Sequence, residues 1–236
     1  MQTNQNTLVN TARIAGGLYL ILILFGIYSL LYVPSQIIEW DNATQTAANI
    51  RENELLFRSG IVLGLLAYLV FLFLPLQLHQ LLSSVHKRAA ILMVVLAVIS
   101  VPVSLLNYGH QFAALSLARG TGYLSNLTHA NLDPMVLMHL EQYYDGNLIA
   151  QLFWGLWLFP LGYLVFRSGF LPKILGLILM VGSVGYTLDF FGRALYSEYG
   201  ATAIAAFITI PASIGEIGIC LWLIFMGARV HKSTDH

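Results

Sequence analysis

Long uncharged apolar stretches separated by short charged segments dominate the hydropathy pattern of this chain. Six stretches have about the 20 residues that an α-helix needs to cross a bilayer. No stretch alternates apolar and polar residues long enough for a membrane β-strand. We therefore predict an all-α, polytopic transmembrane bundle of about six spans. The predicted spans are residues 14–33, 60–82, 89–108, 147–166, 171–191 and 203–227.

The two longest connections carry helical patterns of their own. We predict a short helix over residues 43–57 and another over residues 134–144. The second begins with Asp133 and Pro134, a good N-cap and first-turn pair. Its many apolar residues indicate that it lies on the membrane surface or against the bundle.

Composition agrees with an integral membrane protein of one domain, residues 1–236. Charged residues are 9% of the chain and hydrophobic residues 58%, whereas an ordinary soluble domain is roughly one quarter charged. This excludes a soluble enzyme and a nucleic-acid-binding protein. One cysteine, Cys220, excludes an intrachain disulfide and cysteine-based zinc sites. No metalloprotease, Walker A, dinucleotide-binding or nucleophile-elbow motif occurs, so we expect neither a metal nor a cofactor.

The distribution of cations predicts the orientation of the chain, because cytoplasmic loops are richer in Lys and Arg. One side collects seven cations: Arg13, Lys87, Arg88, Arg167, Lys173, Arg229 and Lys232. The other side collects four: Arg51, Arg58, Arg119 and Arg193. Both termini are therefore predicted to be cytoplasmic, with the chain in the cell inner membrane and residues 43–57 and 134–144 outside.

A tetrapeptide repeat raises the hypothesis of an inverted 3+3 architecture. Phe-Arg-Ser-Gly occurs at residues 57–60 and 166–169, each time before the middle helix of a three-helix half. The predicted topology puts the two copies on opposite sides, as an inverted repeat requires. Chance similarity of two helix ends is the simpler alternative.

Glu216 is the most informative residue for function. It lies near the middle of the last predicted span, where a charged side chain costs about 2.5–3.5 kcal/mol to insert. Thr209 and Ser213 precede it at helical spacing, so this face should point to protein or water. Glu216 is therefore a candidate ligand-, cation- or proton-binding group. The alternative is a carboxyl that only holds helices together.

Other polar groups gather toward the predicted outer half. If the bundle closes on itself, they could line a cavity with Glu216 at its floor. Asp189 and Arg193 are four residues apart and can pair, as can Glu54 and Arg58. Each one singly is more simply an interfacial residue. The candidates are Asn107, His110, Gln151, Trp154, Asp189 and Arg193.

Several segments resemble a bacterial membrane family, domain of unknown function 4386 (DUF 4386). They are ARIAGGLY at 12–19, ELLFRSG at 54–60, FPLGYLVFRSGFLPKILG at 159–176, Gly215-Glu216 and Leu221-Trp222-Leu223. The resemblance covers nearly the full chain and implies a bacterial inner-membrane protein with about six helices. It implies no activity and no catalytic residues.

Three functional classes stay open. The first is a membrane protein that binds or transports a small molecule or lipid through a polar site around Glu216. The second is a non-catalytic scaffold or regulatory partner of another membrane protein. The third, least favoured, is an enzyme that modifies a lipid with Glu216 and Asp189 or His110. The lipid bilayer is a partner in all three.

Overall fold

The computed structural model describes residues 2–228, and the side chains of residues 7–228. The described chain is helical, at 86% helix, and contains no strand. The helices are α1 (Gln2–Ile27), α2 (Val33–Ile37), α3 (Ala43–Glu52), α4 (Glu54–Leu82), α5 (Lys87–Arg119), α6 (His129–Arg167), α7 (Lys173–Leu195), α8 (Ala203–Phe207) and α9 (Ile210–Phe225). A π-helical segment, Tyr28–Tyr32, joins α1 to α2. Gly122–Leu124 and Tyr199–Ala201 are 3₁₀ turns.

Six helical segments are long and apolar enough to cross a membrane, which confirms the predicted number. They are Thr7–Ile37, Glu54–Leu82, Lys87–Arg119, His129–Arg167, Lys173–Leu195 and Ala203–Phe225. The first is continuous through the π-helical segment. The last joins α8 and α9, with Pro211 in the first turn of α9, where the absent proline N–H costs no hydrogen bond.

Two helices extend well beyond their predicted bounds. The span predicted over 89–108 is part of α5, which runs for 33 residues. The surface helix predicted over 134–144 and the span predicted over 147–166 are one helix, the 39-residue α6. Gly146 does not interrupt α6, because the Asn107 side chain fills the space where a Cβ would stand. Packing against α5 therefore stabilises a helix that hydropathy alone does not predict.

The expected start of the outer helix is also corrected. α6 begins at His129 rather than after Asp133, and the Asp133 carboxylate caps no helix. Arg51 Nη1 of α3 lies 3.2 Å from Asp133 Oδ1. Asp133 lies inside α6, four residues after its start, where its carboxylate pairs with α3 instead of capping a helix. The helix predicted over 43–57 likewise divides at Asn53, where α3 ends and α4 begins.

The chain divides into two compact units. Of the described residues, unit 1 contains 2–21, 70–101 and 149–228, and unit 2 contains 22–69 and 102–148. The single-domain organisation stays a prediction. In unit 1, Trp157 is 1% exposed and its ring lies 5.2 Å from that of Phe71, edge to face.

Glycines permit the closest helix contacts within unit 1. A Cβ at Gly182 of α7 would overlap the backbone of Ala212 in α9. Gly162 of α6 and Gly176 of α7 face each other, and a Cβ on either would stand 2.6 Å from backbone atoms of the other helix. Small residues at such contacts are typical of helices that associate in membranes, where close backbone approach supplies dispersion energy.

The repeated tetrapeptide adopts two different conformations. Residues 57–60 lie inside α4, and Gly60 packs against Val33. In the second copy α6 ends at Arg167, and Gly169 has a φ of +73°, which favours glycine. The two copies therefore have different local roles, and the inverted repeat stays a prediction.

Candidate functional site

Glu216 is held against α1 within unit 1. The Tyr19 hydroxyl donates a hydrogen bond of 2.8 Å to Glu216 Oε1, and Tyr19 is 1% exposed. One turn further along α9, the Cys220 thiol lies 3.6 Å from the Gly16 carbonyl oxygen. Oε2 accepts no hydrogen bond from residues 7–228. The carboxyl therefore points into the unit and keeps one oxygen available.

The polar residues expected on the same helix face as Glu216, Thr209 and Ser213, do not form a continuous buried stripe with it. Thr209 is half-buried at the junction of α8 and α9. Ser213 is exposed, and its hydroxyl makes no hydrogen bond with the described residues. The turn at Thr209 and Pro211 interrupts the helix, so residues before it do not continue the face of α9.

A second acidic group, Asp189 near the end of α7, is more deeply buried. Its exposed fraction is 2%. Oδ2 accepts two hydrogen bonds, 2.7 Å from Gln151 Nε2 of α6 and 2.9 Å from Arg193 Nε. The Asp189–Arg193 pair expected from spacing is thus present, and Gln151 joins it. Oδ1 is buried and has no hydrogen-bond partner among the described residues.

Tyr199 completes this cluster from the loop after α7. Its ring packs on Gly192, where a Cβ would overlap it, and the Arg193 guanidinium lies 6.0 Å from the ring centroid. The Tyr199 hydroxyl is also buried without a partner in the described chain. Desolvation, then the nearby Asp189 carboxylate, raise the pKa of Tyr199 above its ordinary value, so this hydroxyl stays protonated at neutral pH.

Tyr186 of unit 1 is near enough to both acids to interact with each of them. This half-buried side chain interacts electrostatically with both Glu216 and Asp189. Within the part of the chain that the structure describes, no hydrogen bond or ion pair joins Glu216 to Asp189 directly. Trp154, half-buried on α6, also belongs to unit 1.

The remaining two candidates, Asn107 and His110, belong to unit 2. Asn107 Nδ2 donates to the Tyr143 carbonyl oxygen at 2.7 Å and to Asn147 Oδ1 at 3.1 Å. His110 Nδ1 lies 3.2 Å from Nδ1 of His139. Both residues therefore join α5 to α6.

Sequence reasoning missed two features of unit 2. His139 was not a candidate, because the partner histidines are 29 positions apart on different helices. Three buried hydroxyl groups, of Ser104, Tyr108 and Tyr143, form part of a polar cluster inside unit 2, in which Tyr108 interacts with Tyr143 and Ser104 with Tyr68. The only available sequence signal was the presence of Ser and Tyr in apolar helices, which is too common to be specific.

A metal site was not expected from the sequence. Among the described residues, no three or more His, Cys, Asp or Glu side chains form a group that could hold a metal ion. The expectation of no metal and no cofactor stays a prediction.

Comparison with known proteins identifies the family. One relative, an uncharacterised protein of the archaeon Archaeoglobus fulgidus, is 32% identical over 93 residues, which are 39% of this chain and 53% of the relative. The chain thus spans about half the length of that relative. No solved structure matches the chain at a significant level. The family described as Domain of unknown function (DUF4386) matches residues 14–227, and the chain therefore belongs to this family of unknown function.

Proposed function

We propose that the protein binds a small molecule or a lipid headgroup at the polar cluster of Asp189, Gln151, Arg193 and Tyr199, with Glu216 as a second acid in the same unit. The buried, unpartnered Oδ1 atom of Asp189 carries this proposal. Buried carboxylate oxygens are costly unless they accept hydrogen bonds, and native structures satisfy nearly all such groups. An ammonium, amide or hydroxyl group of a ligand would satisfy Oδ1.

Arg193 gives the cluster access to the surface. Its side chain is 41% exposed, and it donates through Nε to Asp189. The terminal guanidinium nitrogens make no hydrogen bond with the described residues and can donate to a phosphate or carboxylate. Asp189 and Arg193 thus offer an acceptor and donors side by side.

Native mass spectrometry tests this proposal. We would purify the wild type, Asp189→Asn and Glu54→Gln in a mild detergent that retains bound lipids. The wild type and Glu54→Gln, a matched change in a partly exposed ion pair, should carry an adduct of defined mass, and Asp189→Asn should lose it. Identical spectra for all three proteins, or no adduct on any of them, would overturn the proposal.

The scaffold hypothesis is the second candidate, and the Tyr19–Glu216 hydrogen bond favours it. A carboxyl bonded to a neighbouring helix serves cohesion without any ligand. The scaffold hypothesis expects Glu216→Gln to keep the adduct pattern and cellular behaviour of the wild type. It also expects a membrane protein partner, which crosslinking in intact membranes would reveal.

We also propose that the chain lies in the inner membrane with both termini in the cytoplasm. Each of the four arginines assigned to the outer side has a carboxylate partner: Asp133 for Arg51, Glu54 for Arg58 and Arg119, and Asp189 for Arg193. Of the other set, Arg13, Lys87, Arg88, Arg167 and Lys173 have no carboxylate within 4.0 Å in the described chain. Arg229 and Lys232 lie outside the described residues. The larger number of cations assigned to the inner side, seven against four, supports this orientation.

A further inference from the structure

A surface pocket of about 400 Å³ lies in unit 2 between the last turns of α5, the Gly122–Leu124 turn and the first turns of α6. Its volume lies within the range of small-molecule sites. None of the residues considered above for ligand binding in unit 1 contributes to it. The pocket is therefore a separate candidate site.

Helix length indicates that this pocket can be reached from water. At 1.5 Å per residue, α5 is about 50 Å long and α6 about 58 Å, whereas the hydrocarbon core is about 30 Å thick. Both helices must therefore project from the bilayer. The first half of α6 carries the acids Asp133, Glu141 and Asp145, so the projecting part is the end where α5 meets α6.

A histidine pair stands at the polar end of the pocket. His139 lines the pocket, and its Nδ1 atom lies 3.2 Å from Nδ1 of His110. The ring centroids are 5.5 Å apart, which is the separation expected when the two nitrogens point directly at each other. This is the geometry of a hydrogen bond, in which one Nδ1 donates and the other accepts. A metal ion held by both nitrogens would require the two rings to be bent toward it.

The hydrogen bond between the two histidines determines which ring nitrogen of His139 can contact a ligand. Because Nδ1 of His139 is engaged by His110, Nε2 is the ring nitrogen through which His139 can bind a ligand, in competition or together with the neighbouring Gln142 amide. The hydrogen bond also limits rotation of the ring, as a supporting partner does for a binding histidine. Gln142, three residues further along α6, also interacts with the His139 ring and adds an amide at this end.

The walls of the pocket are apolar and aromatic. Phe112 is 48% exposed, Tyr123 is 86% exposed and Met135 is 40% exposed. None of the lining residues is Asp, Glu, Lys or Arg. Aromatic rings and a methionine favour contact with a flat, polarisable ring, and the lack of charge gives no counter-ion to an ionised ligand.

We infer that this pocket binds a small, neutral aromatic or conjugated compound that carries a hydroxyl or carbonyl oxygen, with His139 Nε2 as its hydrogen-bond partner. The rings of Phe112 and Tyr123 contact the flat face of the compound. A ligand of this class needs neither Asp189 nor Glu216, so the inference does not depend on the site in unit 1.

The probe is 4-fluorophenol, followed by ¹⁹F NMR with the full chain in lipid nanodiscs and with empty nanodiscs as the blank. Fluorobenzene, which lacks the hydroxyl group, is the matched second probe. The wild type should bind 4-fluorophenol saturably and about tenfold more tightly than fluorobenzene, the scale of one hydrogen bond. His139→Leu should remove this preference.

Two further variants distinguish binding of the probes in the pocket from their partition into the lipid. Ser116 is exposed and lines the pocket, so Ser116→Trp should fill it and abolish saturable binding of both probes. Met138→Leu changes an exposed residue of α6 outside the pocket and should bind as the wild type does. Equal binding by Ser116→Trp and the wild type would overturn the inference. Equal affinity for the two probes, or no saturable signal above empty nanodiscs, would do the same.

Discussion

The Tyr19 hydroxyl donates a 2.8 Å hydrogen bond to the Glu216 carboxylate, joining the first long helix to the last. The same helix pair is closely packed at Gly16, where a Cβ would stand 2.8 Å from the backbone nitrogen of Ile224. The acid that marks the candidate site in the sequence is therefore also an interhelical contact. Substitutions at Glu216 have to be judged against this structural role.

Replacing Tyr19 with Phe should destabilise the protein by about 1–2 kcal/mol, because the buried carboxyl loses its donor. Glu216→Gln should cost less, since an amide oxygen still accepts from Tyr19. Reversible unfolding in mixed micelles measures both changes. Tyr32→Phe is the control, because Tyr32 is 49% exposed. A Tyr19→Phe variant as stable as the wild type would show that this hydrogen bond contributes nothing.

Gly64→Ala should destabilise unit 2 by about 1–3 kcal/mol, because its Cβ would overlap the Tyr108 hydroxyl. Tyr108→Phe removes the obstructing oxygen but leaves the ring carbon Cζ 2.5 Å from the added Cβ, so the double variant should recover part of the loss. Thermal melting of the four proteins of this cycle measures the coupling. Gly109→Ala is a matched control, since a Cβ there meets nothing within 4 Å and the added methyl should be neutral or stabilising. Equal losses with and without Tyr108→Phe would contradict the proposed overlap.

Arg51→Gln should cost about 3 kcal/mol, because it leaves the Asp133 side chain, 2% exposed, without its counter-ion. Arg51→Gln combined with Asp133→Asn should be more stable than Arg51→Gln alone, since no buried charge is then left unpaired. Chemical denaturation in detergent compares them. Arg58→Gln serves as the control, because the Arg58–Glu54 pair is partly exposed, with 43% and 34% of the two side chains accessible, and should contribute little. If Arg51→Gln and Arg58→Gln behave alike, Arg51 does not anchor α3 to α6.

A reporter that is active only in the cytoplasm should be active when it is fused to either terminus, and a reporter that is active only in the periplasm should be silent there, as the seven-to-four distribution of cations predicts. Cysteine labelling provides the second measurement. Ser125→Cys, in the loop between α5 and α6, should react with a membrane-impermeant maleimide added outside intact cells. Cys220 is buried and should contribute no background. Labelling of Ser125→Cys only after lysis would reverse the proposed orientation.

Hydropathy determined the number of spans because the membrane imposes a local rule. A stretch without charges that is long enough to cross the hydrocarbon core is recognisable without knowledge of its neighbours. The i,i+4 pair of Asp189 and Arg193 was predictable for the same reason, since helical geometry alone brings the two side chains together.

Contacts between helices were not predictable in this way. Nothing in the local pattern showed that α6 continues through Gly146, because the residue that fills the space there is Asn107 of another helix. Gln151 beside Asp189, and His139 beside His110, likewise depend on which faces of two helices meet.

By itself, the sequence determined that this is a helical protein with six stretches apolar enough to span a membrane and one acid, Glu216, inside the last of them, because each span's burial in lipid depends on its own residues. Only the tertiary structure decided that Glu216 bonds to Tyr19, that Asp189 keeps an unpartnered oxygen, and that His110 and His139 form a pair beside a pocket. These depend on packing between distant segments, where small residues set how closely helices approach and so which polar atoms meet.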